Sequence, residues 1–160
     1  MSNVIVFGPP QSSYVRTARL TLAEKGVAHD NRPVELKAPS HLALHPWGRV
    51  PILEHDGFRL FETSAITQYV DEVFAGPSLT PKNPRERALM NQWISAINAY
   101  VYGHTITGYA FKYIFPTDGK PNRDEIAKAV PALKHDLELL DAAYAKSEWI
   151  AGSALSLADL

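Results

Sequence analysis

Three groups of residues in this chain have types and spacings that can do chemistry. Ser12, with Ser13 beside it as the alternative, follows the loop Gly8-Pro9-Pro10-Gln11 and precedes a helical pattern. A serine there can cap the helix or donate its proton to an anion held at the helix start. The second group is Val50-Pro51, ahead of two short apolar runs, Ile52-Leu53-Glu54-His55 and Phe58-Arg59-Leu60-Phe61. Asp56-Gly57 between them is the pairing that favours a tight two-residue hairpin turn. Val50 should be extended because a following proline disfavours the α region, and the ordinary expectation for its bond to Pro51 is trans, cis occurring in only about 5–6% of such bonds. The third group, Glu62-Thr63-Ser64, opens an apolar-periodic segment. A Thr or Ser cap there leaves free N–H groups that can hold a second anion.

Other chemistries are excluded by composition and spacing. The chain contains no cysteine, which removes disulfides, thiolate zinc sites and every cysteine nucleophile. Redox chemistry would have to borrow a thiol from a ligand. Ser12 lacks the G-x-S-x-G setting of a hydrolase nucleophile. The six histidines show no spacing such as H-E-x-x-H, so no metal is expected. A net charge of −1 gives no basic surface for nucleic acid. No apolar run approaches the roughly 20 residues that span a bilayer. The N-terminus lacks the basic and apolar regions of a signal peptide, so a cytoplasmic protein is expected.

The elements that must position these residues follow in order. Asn3 to Phe7 reads as a buried strand, and Val15, Ala18 and Leu22 give the next helix one apolar face ending at Gly26. Val27 to Leu36 resumes as a strand, placed at an edge by Pro33. This β–α–β opening implies a parallel pair, to which the hairpin adds antiparallel strands. Ile66, Tyr69, Val70 and Val73 give the helix after Thr63 its apolar face. Ala75 to Pro84 is dense in proline and glycine and reads as a linker.

Beyond the linker the pattern is helical. Leu89, Trp93 and Ile97 share a face over Arg85 to Tyr100, and Gly103 and Gly108 predict a break or bend. Asn122-x-x-Glu125 resembles a capping box opening a helix with an apolar stripe at Ile126, Val130, Leu133, Leu137, Leu140 and Tyr144, kinked at Pro131. Ser156 and Asp159 form a second capping-box pattern near the end.

Together these blocks resemble the glutathione transferase family, serine type, along the whole chain. The match is strongest over residues 3–26, 45–74 and 149–160. The resemblance implies an α/β thioredoxin-like N-terminal domain (a mixed four-stranded sheet with helices) over residues 1–75. A linker at 76–84 and an all-α helical-bundle C-terminal domain over 85–160 would follow. Family members continue past the Ser156–Asp159 helix start, so the helical domain reads as incomplete. Glutathione is implied as co-substrate, and an apolar electrophile or organic peroxide as second substrate. Ser12 matches the family's catalytic serine. Val50, ahead of a family cis-proline matched by Pro51, would pair its backbone with the cysteinyl unit, and Glu62 and Thr63 would hold the γ-glutamyl carboxylate. Thr63 replaces the usual serine. Lys37 resembles a lysine that meets the glycyl carboxylate, with His41 and Arg49 as neighbouring candidates, and Leu36 stands where a partner histidine is usual. The family is usually dimeric, so a homodimer is implied.

The chemistry implied for Ser12 is hydrogen-bond donation. A free thiol has a pKa of about 8.5, so lowering it by about two units takes roughly 2.7 kcal/mol of preference for the thiolate. One hydroxyl donating to a charged acceptor contributes about 1.5–3 kcal/mol, and a helix N-terminus about 0.3–1 kcal/mol. Read from residue type alone, Ser12 is a helix cap, and Glu62-Thr63 an ordinary helix start. Tyr100, Tyr102, Tyr109, Phe111 and Tyr113 are mostly core by type, with Tyr100 and His104, four apart, as contributors to a second-substrate pocket. Two rival readings keep the fold: a glutathione-binding module without turnover, and an interaction domain with no ligand.

Overall fold

The computed structural model describes residues 3–116 and 119–160. The chain divides into two compact units, Met1–Thr80 with Leu160, and Pro81–Asp159. Among the described residues no helix is long and apolar enough to cross a membrane.

The first unit is built on a four-stranded sheet in the order β2-β1-β3-β4. β1 (Val4–Phe7) and β3 (Ile52–His55) are central, and β2 (Asp30–Arg32) and β4 (Phe58–Phe61) are the edges. β1 pairs parallel with β2 and antiparallel with β3, and β3 pairs antiparallel with β4. The mixed thioredoxin-like sheet is therefore present. β2 is much shorter than the 27–36 run the sequence suggests. The ladder stops one residue before Pro33, which has no N–H to donate. The hairpin turn carries positive φ at both Asp56 (49°) and Gly57 (86°), the twist that suits tightly joined strands.

α1 (Ser13–Glu24) buries Val15, Ala18 and Leu22, the face the spacing predicted. It ends at Gly26, whose φ of 68° allows the chain to reverse while Val27 N–H donates to the Leu22 carbonyl. α3 (Thr63–Val73) buries Ile66 and Val70. Val73, expected on the same face, is exposed instead. The side chains of α1 and α3 meet Val4, Val6 and Leu53 in one apolar cluster. Ile5 and Ile52, alternate residues of the same strands, are also buried, as in a strand covered on both faces. α2 (Pro39–Leu44) is a short helix between β2 and β3.

The connecting segment is fastened to this unit by a buried ion pair. Lys25 Nζ donates to Asp71 Oδ1 (3.0 Å), to the Asp71 carbonyl (3.0 Å) and to the Pro77 carbonyl (2.8 Å). Asp71 Oδ1 also accepts from Leu79 N–H at 2.9 Å. Burial by itself would raise the Asp71 carboxyl's pKa, but the donors around it win and hold it below the ordinary value.

The second unit is helical. α4 (Pro84–Ala96) is capped by Asn83, whose Oδ1 accepts from Arg85 N–H, with Pro84 in the first turn where a missing N–H costs nothing. Of the break or bend expected near Gly103 and Gly108, the break does not occur. The chain widens into two π-helical stretches, Ile97–Val101 and Gly103–Ala110, and returns to α geometry in α5 (Phe111–Ile114). Thr105 and Thr107 donate to the carbonyls four residues back, at 2.7 and 2.8 Å, which bends a helix without ending it. At Gly108 an added Cβ would sit 3.0 Å from the Gly103 carbonyl, so the wide turn needs glycine there.

α6 (Arg123–Tyr144) starts at Asn122, whose Oδ1 accepts from Glu125 N–H. The reciprocal half of the expected box is absent, because the Glu125 carboxylate pairs with Lys128. The helix runs on through Pro131. Of its expected stripe Ile126 is buried, whereas Val130, Leu137 and Tyr144 are exposed. The aromatic run also departs from the packing expectation, since Tyr100, Phe111 and Tyr113 are exposed.

Candidate active site

The strand register brings the predicted groups to one end of the sheet. Phe7, Ile52 and Phe61 lie side by side across β1, β3 and β4, with Arg32 of β2 beside Phe7. The residues just past that row are Gly8 after β1, Pro51 before β3 and Glu62 after β4. The Gly8–Ser12 loop, the Val50-Pro51 step and the start of α3 are therefore neighbours because the ladders are in this register.

Gly8 is the contact point between two of them. Its φ is 138°, and an added Cβ would lie 2.6 Å from Val15 Cγ2 and 3.0 Å from Val50 Cβ. Only glycine lets the loop lie between the first turn of α1 and Val50. The Val50–Pro51 bond is cis, as the resemblance implied and against the ordinary expectation for X–Pro.

Ser12 is the N-cap of α1, with extended backbone (φ −63°, ψ 127°). Its Oγ accepts from Val15 N–H at 3.5 Å, a long capping bond. That bond uses an oxygen lone pair and leaves the hydroxyl proton to donate elsewhere. Capping and donation, alternatives when read from residue type, are compatible at this serine.

Glu62 holds an uncommon conformation for a side-chain-bearing residue, φ 72° and ψ 119°. It, and not Thr63, is the N-cap of α3, and no side chain caps this helix. The expected Thr63 cap is therefore absent: Thr63 is the first helical residue, at a helix start that no side chain of the N-cap residue caps. Beneath Glu62 lies His45, a residue the sequence pattern did not single out. Its Nε2 is 3.9 Å from Glu62 Oε1, and it is 1% exposed. The only signal was a histidine immediately ahead of Pro46-Trp47-Gly48 and the Val50-Pro51 step.

Lys37 and Arg49 flank the same loop. Lys37 has φ 66° and is exposed, and its Cγ lies 3.5 Å from the position of a Gly48 Cβ. His41 joins them: its Nδ1 accepts from Lys37 N–H (3.0 Å) and its Nε2 meets the Arg49 carbonyl (2.9 Å). His41 is thus a buried brace for the loop and not a ligand for an anion, correcting its candidacy. Both ring nitrogens are spent on backbone.

The second-substrate candidates lie in the helical unit. Tyr100, in the first π-helical stretch, is 64% exposed. His104, in the second, pairs through Nδ1 with Asp136 Oδ2 of α6 at 2.8 Å. No group of three or more His, Asp or Glu lies together as a metal site among the described residues.

Comparisons with known proteins agree with this architecture. Residues 2–72 match the family described as glutathione S-transferase, N-terminal domain. Glutathione S-transferase F9 of Arabidopsis thaliana is 34% identical over 164 aligned residues, which cover 97% of this chain and 75% of that protein. Glutathione transferase F7 of Populus trichocarpa superposes with a TM-score of 0.86 at 30% identity, covering 98% of this chain and 78% of that one. The theta class enzyme of Xanthomonas axonopodis pv. citri, solved with glutathione bound, gives 0.89 at 28% identity, covering 99% and 78%. Matched along nearly its whole length by these transferases, the chain belongs to the glutathione S-transferase family.

Proposed function

We propose that the chain stabilises the glutathione thiolate with the Ser12 hydroxyl and presents it to an apolar electrophile or an organic peroxide. The observation that carries this reading is the meeting of Ser12, Val50-Pro51 and the Glu62-Thr63 helix start at one sheet end, set by strand register. Val50 offers its backbone to the cysteinyl unit. Glu62 and Thr63 take the γ-glutamyl end at the start of α3, and Lys37 and Arg49 take the glycyl carboxylate. Tyr100 and His104 contribute to the electrophile's site. The serine is a donor and is never acylated or alkylated. No metal takes part. In this reading the protein works in the cytoplasm as a homodimer.

The Ser12 Oγ to Val15 N–H bond favours a second reading, a glutathione-binding module in which Ser12 is only a cap. Titrating bound glutathione by ultraviolet thiolate absorbance, in the parent and in Ser12→Ala, separates the two. Thiolate at neutral pH in the parent and its loss in the variant supports the transferase mechanism. Binding without thiolate in the parent sinks it.

A further inference from the structure

We propose that His45 is a positioning residue of the glutathione site and makes glutathione binding proton-sensitive. The inference rests on the reading of Glu62 as the γ-glutamyl contact and deepens it. His45 is the C-cap residue of α2, buried against the Phe61 ring at 4.7 Å and the Trp47 ring at 6.2 Å. Trp47 N–H donates to its Nδ1 at 3.3 Å. That bond requires an unprotonated Nδ1, so the neutral ring carries its proton on Nε2, the atom that faces Glu62 Oε1 across 3.9 Å. One imidazole thereby supports both walls of the site: the Pro46–Arg49 loop leading to Val50, and Glu62 in its left-handed conformation.

A second proton on this ring disturbs both walls. It takes the Nδ1 lone pair from Trp47 N–H, and it turns Nε2–H into a cationic donor that competes for the Glu62 carboxylate. The titratable and charged groups facing the ring are Glu62 from the start of α3, His41 from α2 and Arg49 from the following loop. Burial, joined by His41 and Arg49, lowers the His45 pKa below its ordinary 6.5 although Glu62 opposes this. The neutral, site-building form is therefore the one present at neutral pH. Acid converts it only below 6.5.

Linkage makes the idea measurable: if glutathione binds the neutral form, bound glutathione must lower the His45 pKa further. The first measurement is the His45 ring titration by NMR on the full parent chain, without glutathione and at saturation. The second is glutathione affinity by calorimetry from pH 5 to 8 in the parent, His45→Gln and Glu62→Gln. The expected results are a His45 pKa depressed by glutathione, and affinity in the parent that falls with acid below pH 6.5 by up to about tenfold per pH unit, one proton's worth. In His45→Gln that component should be absent. A His45 pKa unmoved by glutathione overturns the proposal, and this needs no variant to fold. So does an acid dependence that persists unchanged in His45→Gln. Undiminished binding by Glu62→Gln strikes instead at the reading of Glu62, and the proposal falls with it.

Discussion

A serine that caps a helix with its lone pair keeps its proton, and this decides how Ser12→Ala should behave. The capping bond is long, 3.5 Å, so its loss should cost only about 0.5 kcal/mol, the low end for such caps. The lost donor matters more for the thiolate. The bound thiol should return toward about 8.5, and conjugation at neutral pH should fall roughly 10- to 100-fold, matching one charge-assisted hydrogen bond. Steady-state rates and a urea melt on the same variant test both halves. Equal losses of stability and rate would mean that Ser12 is only structural. Gly8→Ala should behave differently. Its Cβ would collide with Val15 at 2.6 Å and with Val50, at a φ of 138°. We expect a destabilisation of about 2–3 kcal/mol together with a raised KM for glutathione, since relief must come from moving α1 or Val50.

At the scale of elements, the short 3₁₀ turn Leu157–Asp159 is held by one carboxylate. Asp159 accepts from Ser156 N–H and Ser156 Oγ (both 2.9 Å), from Ile150 N–H (2.9 Å) and from Tyr144 Oη (3.2 Å). It therefore ties the end of α6, the Trp149–Gly152 bridge and the capping box together. Partial desolvation first, then this carboxylate, raises the pKa of the otherwise exposed Tyr144. Asp159→Ala leaves several part-buried donors unmatched and should destabilise the helical unit by about 3 kcal/mol. Asp159→Asn should recover part of that, because it keeps an acceptor. Denaturant unfolding of both variants and the parent checks the order; variants as stable as the parent would mean that the carboxylate's charge and bonds contribute little.

For the molecule as a whole, the Lys25–Asp71 pair governs how the chain leaves its first unit. The two side chains are 3% and 4% exposed, and they hold the Pro77 carbonyl and the Leu79 amide. Removing one partner strands a buried charge, so Lys25→Met should cost about 3–5 kcal/mol, far more than a surface pair. The same pair sets an acid limit. The Asp71 carboxyl is depressed in the fold, so the unfolded chain takes up its proton first as pH falls. Its stabilisation is complete above the ordinary 3.8 and is lost as pH falls through the lower folded value. Thermal melts between pH 2 and 6 should show this loss in the parent and a flatter profile in Asp71→Asn. A parallel profile would remove Asp71 as its source.

Residue order alone determined β1, α1, the β3–β4 hairpin and α3 on the sheet side, while it overran β2 and passed over α2. The apolar run of β1, the spacing of Val15, Ala18 and Leu22, the Asp56-Gly57 turn and the Pro33 edge are local properties that act within a few residues. Ser12, Val50, Pro51, Glu62 and Thr63 stand at the ends of such elements, but it was the family resemblance, and not their local chemistry, that singled them out as site candidates. What tertiary structure decided depends on contacts between distant segments. The cis state of Val50–Pro51, the left-handed Glu62 and the absence of a side-chain cap on α3 belong to this class. So do the bracing of Lys37 and Arg49 by His41 and the burial of His45 under Glu62. In the helical unit, glycine propensity predicted a break or bend at Gly103 and Gly108, and the chain winds through as π-helix without a break. Propensity is worth only about 1 kcal/mol per glycine, too little by itself to end a helix.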